Sequence, residues 1–233
     1  YKRQVYFLIL CGKIRQALRS DELRFFLIVV AASTVLISFN IYSMVGTAGD
    51  SVRHAAFQVA SIISTTGFAS TDFNLWPEFS KTILVLLMFI GACAGSTGGG
   101  IKVARVVILE KASVGEMRRM LHPNAVPAIR FEGKPLSERN IRGVYLFLAV
   151  YMAIFVLSCL LVSLEQMDLV TVFTAVATCI NNVGPGLEIV GPMGNFSAFS
   201  GFSKIVLSLC MILGRLEIIP VLVLFSGTAW KKS

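Results

Sequence analysis

Two short stretches carry the residues best suited to chemistry: Ser64-Thr65-Thr66-Gly67-Phe68-Ala69-Ser70 and Asn181-Asn182-Val183-Gly184-Pro185-Gly186. Neither holds a general base, a nucleophile with a partner, or a metal-ligand cluster. They hold small and hydroxylated residues around a glycine, after a short apolar run. That pattern suits the presentation of backbone carbonyl oxygens, and rings of such carbonyls can replace the hydration shell of a potassium ion. The expected ligands are the backbone oxygens of Thr65, Thr66, Gly67, Phe68, Asn182, Val183 and Gly184. In each stretch the glycine permits the positive φ that a side chain resists.

The elements around these loops must place them at membrane depth. Of 233 residues, 55% are hydrophobic and the formal charge is +8. Uncharged runs at Phe25 to Gly49, Thr82 to Ile101 and Gly143 to Leu164 are each near the 20 or so residues that a spanning helix needs. The composition is that of a polytopic membrane protein, so the positive charge is read as topology before nucleic-acid affinity. The chain starts at Tyr1 without a signal-peptide pattern, which suggests part of a longer protein.

Expected spans are Phe25 to Tyr42, Ser80 to Ile108, Ile141 to Leu164 and Ser203 to Phe225. Between the first and second lies a short run, Val52 to Ile63, too short to cross; Leu169 to Ile180 repeats this between the third and fourth. Asp50, Arg53 and His54 read as a polar loop, and Trp76 as an interfacial aromatic. The halves repeat with a period of about 117 residues: Gly67 follows Arg24 at the same distance as Gly184 follows Ile141, and Gly98 follows Gly67 as Arg215 follows Gly184. The expected fold is an all-α membrane protein of two tandem span–pore helix–filter loop–span repeats, half of a four-repeat, potassium-channel-like pore; such a pore needs about four loops, so either the chain is half of a longer protein or two copies assemble. The parts are a cytoplasmic or interfacial segment at 1–23, a first repeat at 24–110, a basic cytoplasmic linker at 111–140 and a second repeat at 141–233.

Charge sidedness sets the orientation. Of the 21 Lys and Arg residues, six precede Phe25, nine lie between Lys102 and Arg142, and two end the chain. Arg53, Lys81 and Lys204 fall on the other side, and Arg215 within a span. Both termini and the linker are therefore expected in the cytoplasm and both loops outside.

Within the second span lies Ala94-Gly95-Ser96-Thr97-Gly98-Gly99-Gly100-Ile101-Lys102. Each glycine costs a helix interior about 1 kcal/mol relative to alanine, so the helix is expected to break here, near its cytoplasmic end. Broken backbone at membrane depth needs protein or a water-filled cavity beside it. As a phosphate cradle the segment fails: a P-loop requires Lys directly after Gly and then Ser or Thr, whereas Ile101 separates Gly100 from Lys102 and Val103 follows. A membrane-anchored enzyme using this segment is the competing reading, and it lacks an acid–base pair. The cysteines, Cys11, Cys93, Cys159, Cys179 and Cys210, have no CxxC spacing and read as packing residues; His54 and His122 have no ligand-spaced partner.

These motifs resemble the Trk/Ktr/HKT superfamily of potassium transporters, most closely its bacterial Trk potassium uptake membrane subunits. The resemblance is carried by Ser64-Thr-Thr-Gly-Phe-Ala, Gly91-Ala-Cys-Ala-Gly-Ser-Thr-Gly-Gly-Gly-Ile-Lys, His122-Pro-Asn-Ala-Val, Asn181-Asn-Val-Gly-Pro-Gly and Leu213-Gly-Arg-Leu-Glu. It covers nearly the whole chain, as the third and fourth of four repeats. It implies potassium uptake across the cytoplasmic (inner) membrane and a filter at the two loops. It also implies gating by the segment of Gly95, Gly98, Gly99, Gly100 and Lys102, with the intramembrane Arg215. It further implies a homodimer in membrane lipid with a cytoplasmic nucleotide-binding regulatory subunit, no nucleic acid, no enzyme activity and no cofactor, potassium being the cargo. A sodium-permeable relative of the same fold is the alternative.

Overall fold

The structure is a computed structural model, and it describes residues 20–96, 98–122 and 129–216. Among these, seven α-helices account for most of the chain, and two-residue strand pairs are the only extended pairing. Helix α1 (Asp21–Val45) begins at Ser20, whose hydroxyl accepts from the Leu23 N–H (3.3 Å), with Asp21 and Glu22 in its first turn. It stops at Gly46, which takes φ +80°. Its buried residues Ser33, Ile37 and Ile41 recur every fourth position, so one stripe faces inward.

Helix α2 (Ala48–Ile63) is longer than the apolar run suggests. Asp50, Arg53 and His54, expected in a loop, form its first turns. Asp50 sits at the positive end of the helix dipole, and the Thr47 hydroxyl (2.7 Å), then Arg53, hold its carboxyl below the usual carboxylate range. Trp76 packs inward. It is buried and edge-on to Phe73, with ring centroids 6.4 Å apart.

The expected second span is two helices. Helix α3 (Glu78–Phe89) ends after 12 residues, and the chain pairs in β1 (Ile90–Gly91) with β2 (Ile101–Lys102) before α4 (Val103–Leu121). Ile90 opposes Ile101 and Gly91 opposes Lys102, so the glycine-rich segment leaves and returns at one point. The helix breaks as expected, but it already ends at Phe89, near the middle of the expected span and not near its end. Helix α4 then runs through the first part of the expected linker. A short antiparallel pair, β3 (Arg130–Phe131) with β4 (Lys134–Pro135), follows.

Helix α5 (Glu138–Val162) starts at the Ser137 cap and buries Phe147, Tyr151, Phe155, Ser158 and Val162 along one face. Helix α6 (Leu169–Asn181) starts at Asp168, whose carboxylate accepts from Val170 N–H (3.0 Å). Helix α7 (Gly201–Leu216) follows. The rest of the fourth expected span, Glu217 included, lies outside the described residues, as do Cys11, Thr97 and Pro123. Helices α1 and α5 (extended to Glu165 by a 3₁₀ turn) are long and apolar enough to cross a membrane by length and composition. Most of their surface faces outward, with Ile28, Phe39 and Leu160 exposed.

Two cores result. One joins α1, α2 and α3 through Ile37, Val59, Ile62 and Leu84, and takes in Val183 and Leu187 from the second half. The other joins α5, α6 and α7 through Tyr151, Val176, Ile180 and Leu207. Phe89, at the end of α3, bridges them, with centroids 5.5 Å from Phe155 and 6.1 Å from Phe173.

Candidate functional site

The loops after α2 and α6 take positive φ at the same two positions, 117 residues apart. Thr65 and Asn182 take φ +56° and +54°, and Gly67 and Gly184 take +78° and +114°. Thr65 N–H donates to Ile62 O (3.0 Å) and Thr66 N–H to Ser61 O (2.9 Å). Asn182 N–H donates to Cys179 O (3.2 Å) and Val183 N–H to Thr178 O (2.9 Å). Each loop folds its N–H groups back onto the end of its short helix. In a planar trans peptide the preceding carbonyl points the opposite way. The carbonyls of Thr65 and Asn182 therefore turn away from the helices, as do those of Thr66 and Val183, whose following N–H groups are also held. The Phe68 carbonyl accepts from the Ser61 hydroxyl (2.6 Å), which turns one of its lone pairs back toward α2.

The structure brings the two loops into contact. A Cβ added at Gly67 would overlap the Val183 carbonyl oxygen and lie 3.1 Å from Pro185 Cδ; one added at Gly184 would lie 3.9 Å from Gly67 Cα. Farther along, the side-chain amide of Asn74 donates to Glu188 O (3.3 Å) and accepts from Glu188 N–H (2.9 Å), stapling the outer parts of the two halves. The C-terminal ends of α2 and α6, each carrying about half a negative charge from the helix dipole, both lead into this junction.

The glycine-rich segment lies against the same helix ends. A Cβ at Gly98 would stand 2.7 Å from Thr65 Oγ1, one at Gly100 would stand 3.0 Å from Asn181 Oδ1, and one at Gly99 would overlap the Asn181 carbonyl. Residues 98–100 are glycine because the backbone there touches both loops with no room for a side chain. Gly95 and Gly100 also take φ +77° and +80°. Asn181 is the seat: fully buried, it accepts from Tyr151 Oη (2.8 Å) and donates to Ala177 O (2.8 Å). On the other side, the Ala94 N–H donates to the buried carboxylate of Glu22. From there, contacts run to the β3–β4 hairpin: Glu132 accepts from the Ser20 hydroxyl (2.8 Å), and Lys111 bridges Asp21 (2.5 Å) and Arg130 O (3.1 Å).

Lys102 and Arg105 line a small cleft with Gly98, Gly100, Tyr151 and Gly214. Arg105 lies 4.0 Å over the Phe147 ring. Gly214 lets α7 touch the Ile180 carbonyl, and Asn182 Nδ2 donates to Met211 O (3.0 Å), so Arg215 sits one residue from this junction on an exposed face of α7. The two loops, Gly98, Gly99, Gly100 and Lys102 thus fall in one place, with Arg215 next to Gly214 at its edge, whereas the space beside Gly95 is open.

The family model described as "TrkH: Cation transport protein" matches residues 12–232. The chain belongs to the TrkH family. Among relatives of this TrkH-family chain is "Trk system potassium uptake protein TrkH" of Escherichia coli (strain K12), 36% identical over 98% of the chain and 47% of the relative. Another is "Trk system potassium uptake protein TrkI" of Halomonas elongata, 31% identical over 98% and 46%. The fold is similar to the crystal structure of the potassium transporter TrkH from Vibrio parahaemolyticus, with a TM-score of 0.87 and 33% identity over 98% of this chain and 49% of that one. The chain spans about half the length of the curated relatives it matches.

Sequence reasoning on this TrkH-family chain overlooks several parts of the junction: Ser61, Thr178, Tyr151, Asn74 and Glu22; it has Asn181 and Gly214 within its motifs but assigns them no role. The repeat offset was the available signal for the first two, since Ser61 and Thr178 stand 117 apart as Gly67 and Gly184 do.

Proposed function

We propose that this chain forms part of a potassium uptake protein of the cytoplasmic membrane, conducting through a filter of backbone carbonyls. The filter carbonyls are those of Thr65, Thr66 and Gly67 in one loop and Asn182, Val183 and Gly184 in the other, with Phe68 contributing its free lone pair. The observation that carries this reading is the contact of the two loops at Gly67 and Val183, each with its carbonyls turned from a short helix whose negative end faces the junction. Potassium shed of water is stabilised by such oxygens and by the helix dipoles together. A complete ring needs more carbonyl loops than two. Two further repeats of the same polypeptide supply them in this reading, with each half here a span, a re-entrant pore helix, a filter loop and a span.

The segment at Gly95–Lys102 is the gate, seated against Thr65 and Asn181, and Arg215 is an electrostatic barrier on the same side. The basic linker and both ends of this segment face the cytoplasm, where a nucleotide-binding regulatory subunit meets a homodimer. No enzyme chemistry or cofactor enters this account. Gly67→Ser and Gly184→Ser, made in the full-length protein, test it through potassium-dependent growth and rubidium uptake in competition with sodium. Weakened discrimination in both is expected; unchanged selectivity in both removes the filter assignment. A wild-type protein that passes sodium as freely as rubidium points instead to a sodium-permeable relative.

A further inference from the structure

We infer that Thr178 is a specificity-determining residue: its hydroxyl fixes the Val183 carbonyl in the filter, a role distinct from that of any filter-loop residue. The inference rests on the filter reading above. Thr178 lies in α6, six residues before Gly184, and is buried. Its hydroxyl oxygen accepts the Gly184 N–H at 2.8 Å, while its backbone carbonyl accepts the Val183 N–H at 2.9 Å. Two successive loop amides are thus tied to one residue. Each tie aims the carbonyl on the other edge of its peptide plane away from α6. The hydroxyl tie governs the peptide joining Val183 to Gly184, whose oxygen is the one that meets Gly67.

The first loop solves the same problem differently. There one carbonyl, Ser61 O, takes both Thr66 N–H (2.9 Å) and Gly67 N–H (3.4 Å), the second at a distance where such bonds are weak. The Ser61 hydroxyl, at the position equivalent to Thr178, is committed elsewhere, donating to Phe68 O at 2.6 Å. The two hydroxyls therefore hold their loops with opposite polarity: Ser61 restrains a carbonyl, and Thr178 restrains an amide. Gly184 needs the restraint, because φ +114° is a conformation reached freely only by glycine and left as easily. Without the hydroxyl acceptor the peptide between Val183 and Gly184 is free to rotate, and its oxygen leaves the position that discriminates between cations.

The test uses the full-length protein reconstituted in liposomes, with rubidium and sodium fluxes measured per amount of folded protein. Thr178→Val keeps the shape and removes the acceptor; it should lower the rubidium-to-sodium flux ratio by roughly five- to tenfold, the equivalent of one hydrogen bond. Thr178→Ser should restore the ratio. Thr171→Val is the control: Thr171 is buried in the same helix, and its hydroxyl has no partner among the described residues, so its ratio should stay at the wild-type value. A purely structural role for Thr178 lowers both fluxes together and leaves the ratio alone. An unchanged ratio in Thr178→Val, with wild type selective, overturns the inference and leaves the filter reading standing. An unselective wild type overturns the filter reading itself. If Thr178→Val yields no folded protein, Thr178→Cys, a weak acceptor of similar size, replaces it under the same criterion; failure of both to fold makes Thr178 a folding residue and refutes the inference.

Discussion

Substituting alanine for Gly67 and Gly184, the glycines of the proposed filter, separates backbone strain from steric overlap. Both positions have positive φ, +78° at Gly67 and +114° at Gly184. An alanine there costs on the order of 1–3 kcal/mol in strain alone. At Gly184 nothing is closer to the new Cβ than Gly67 Cα, at 3.9 Å, so strain is the whole cost. At Gly67 the Cβ overlaps the Val183 carbonyl oxygen and stands 3.1 Å from Pro185 Cδ. The neighbour is backbone, not the end of a pliant side chain, so the loops must part by on the order of 1 Å to regain ordinary contact. Overpacking of this kind adds about 1–3 kcal/mol. Gly67→Ala should therefore lose about tenfold more rubidium-over-sodium discrimination than Gly184→Ala, a further 1.4 kcal/mol or so. Competitive uptake by the full-length protein, in cells lacking other potassium uptake, reads this difference. Equal losses, or a larger loss in Gly184→Ala, would refute the contact between the two loops as described.

Four further outcomes are expected. Deleting Gly98–Gly100 removes the backbone seated on Thr65 and Asn181, and should raise flux or free it from the proposed regulatory subunit; wild-type flux and regulation would leave the segment a packing device. Arg215→Ala should raise conductance in single-channel or flux recordings without changing ion preference, and Arg215→Lys should match wild type. Tyr151→Phe leaves the Asn181 amide oxygen without its buried donor and should cost about 1–3 kcal/mol, read as a lowered thermal midpoint in detergent. Glu22→Ala strips the acceptor from Ala94 N–H and should loosen the glycine segment, read as increased hydrogen exchange at residues 92–96 with α6 unaffected.

How far the sequence foretells this arrangement depends on which force acts at each residue. Gly67 and Gly184 are legible because their need for positive φ is local, and a break in the second expected span is legible because four clustered glycines cannot hold a helix. Asp50 misleads: it is polar yet helical, because an acid stabilises a helix start. The charges of the expected linker signal exposure but not conformation, and an exposed helix such as the end of α4 satisfies that signal as well as a loop would. The roles of Asn181 and Thr178 are hidden for another reason: a buried polar residue declares its partner only when the fold brings Tyr151 or Gly184 to it.

The most direct test is the position of the ion. Crystals of the full-length protein grown in rubidium salts, with data collected at the rubidium absorption edge, should show anomalous peaks coordinated by the carbonyls of Thr66 and Val183, and weaker peaks when sodium replaces rubidium. Rubidium flux through the protein with no peak at these oxygens, or with the ion held elsewhere, would contradict the filter assignment.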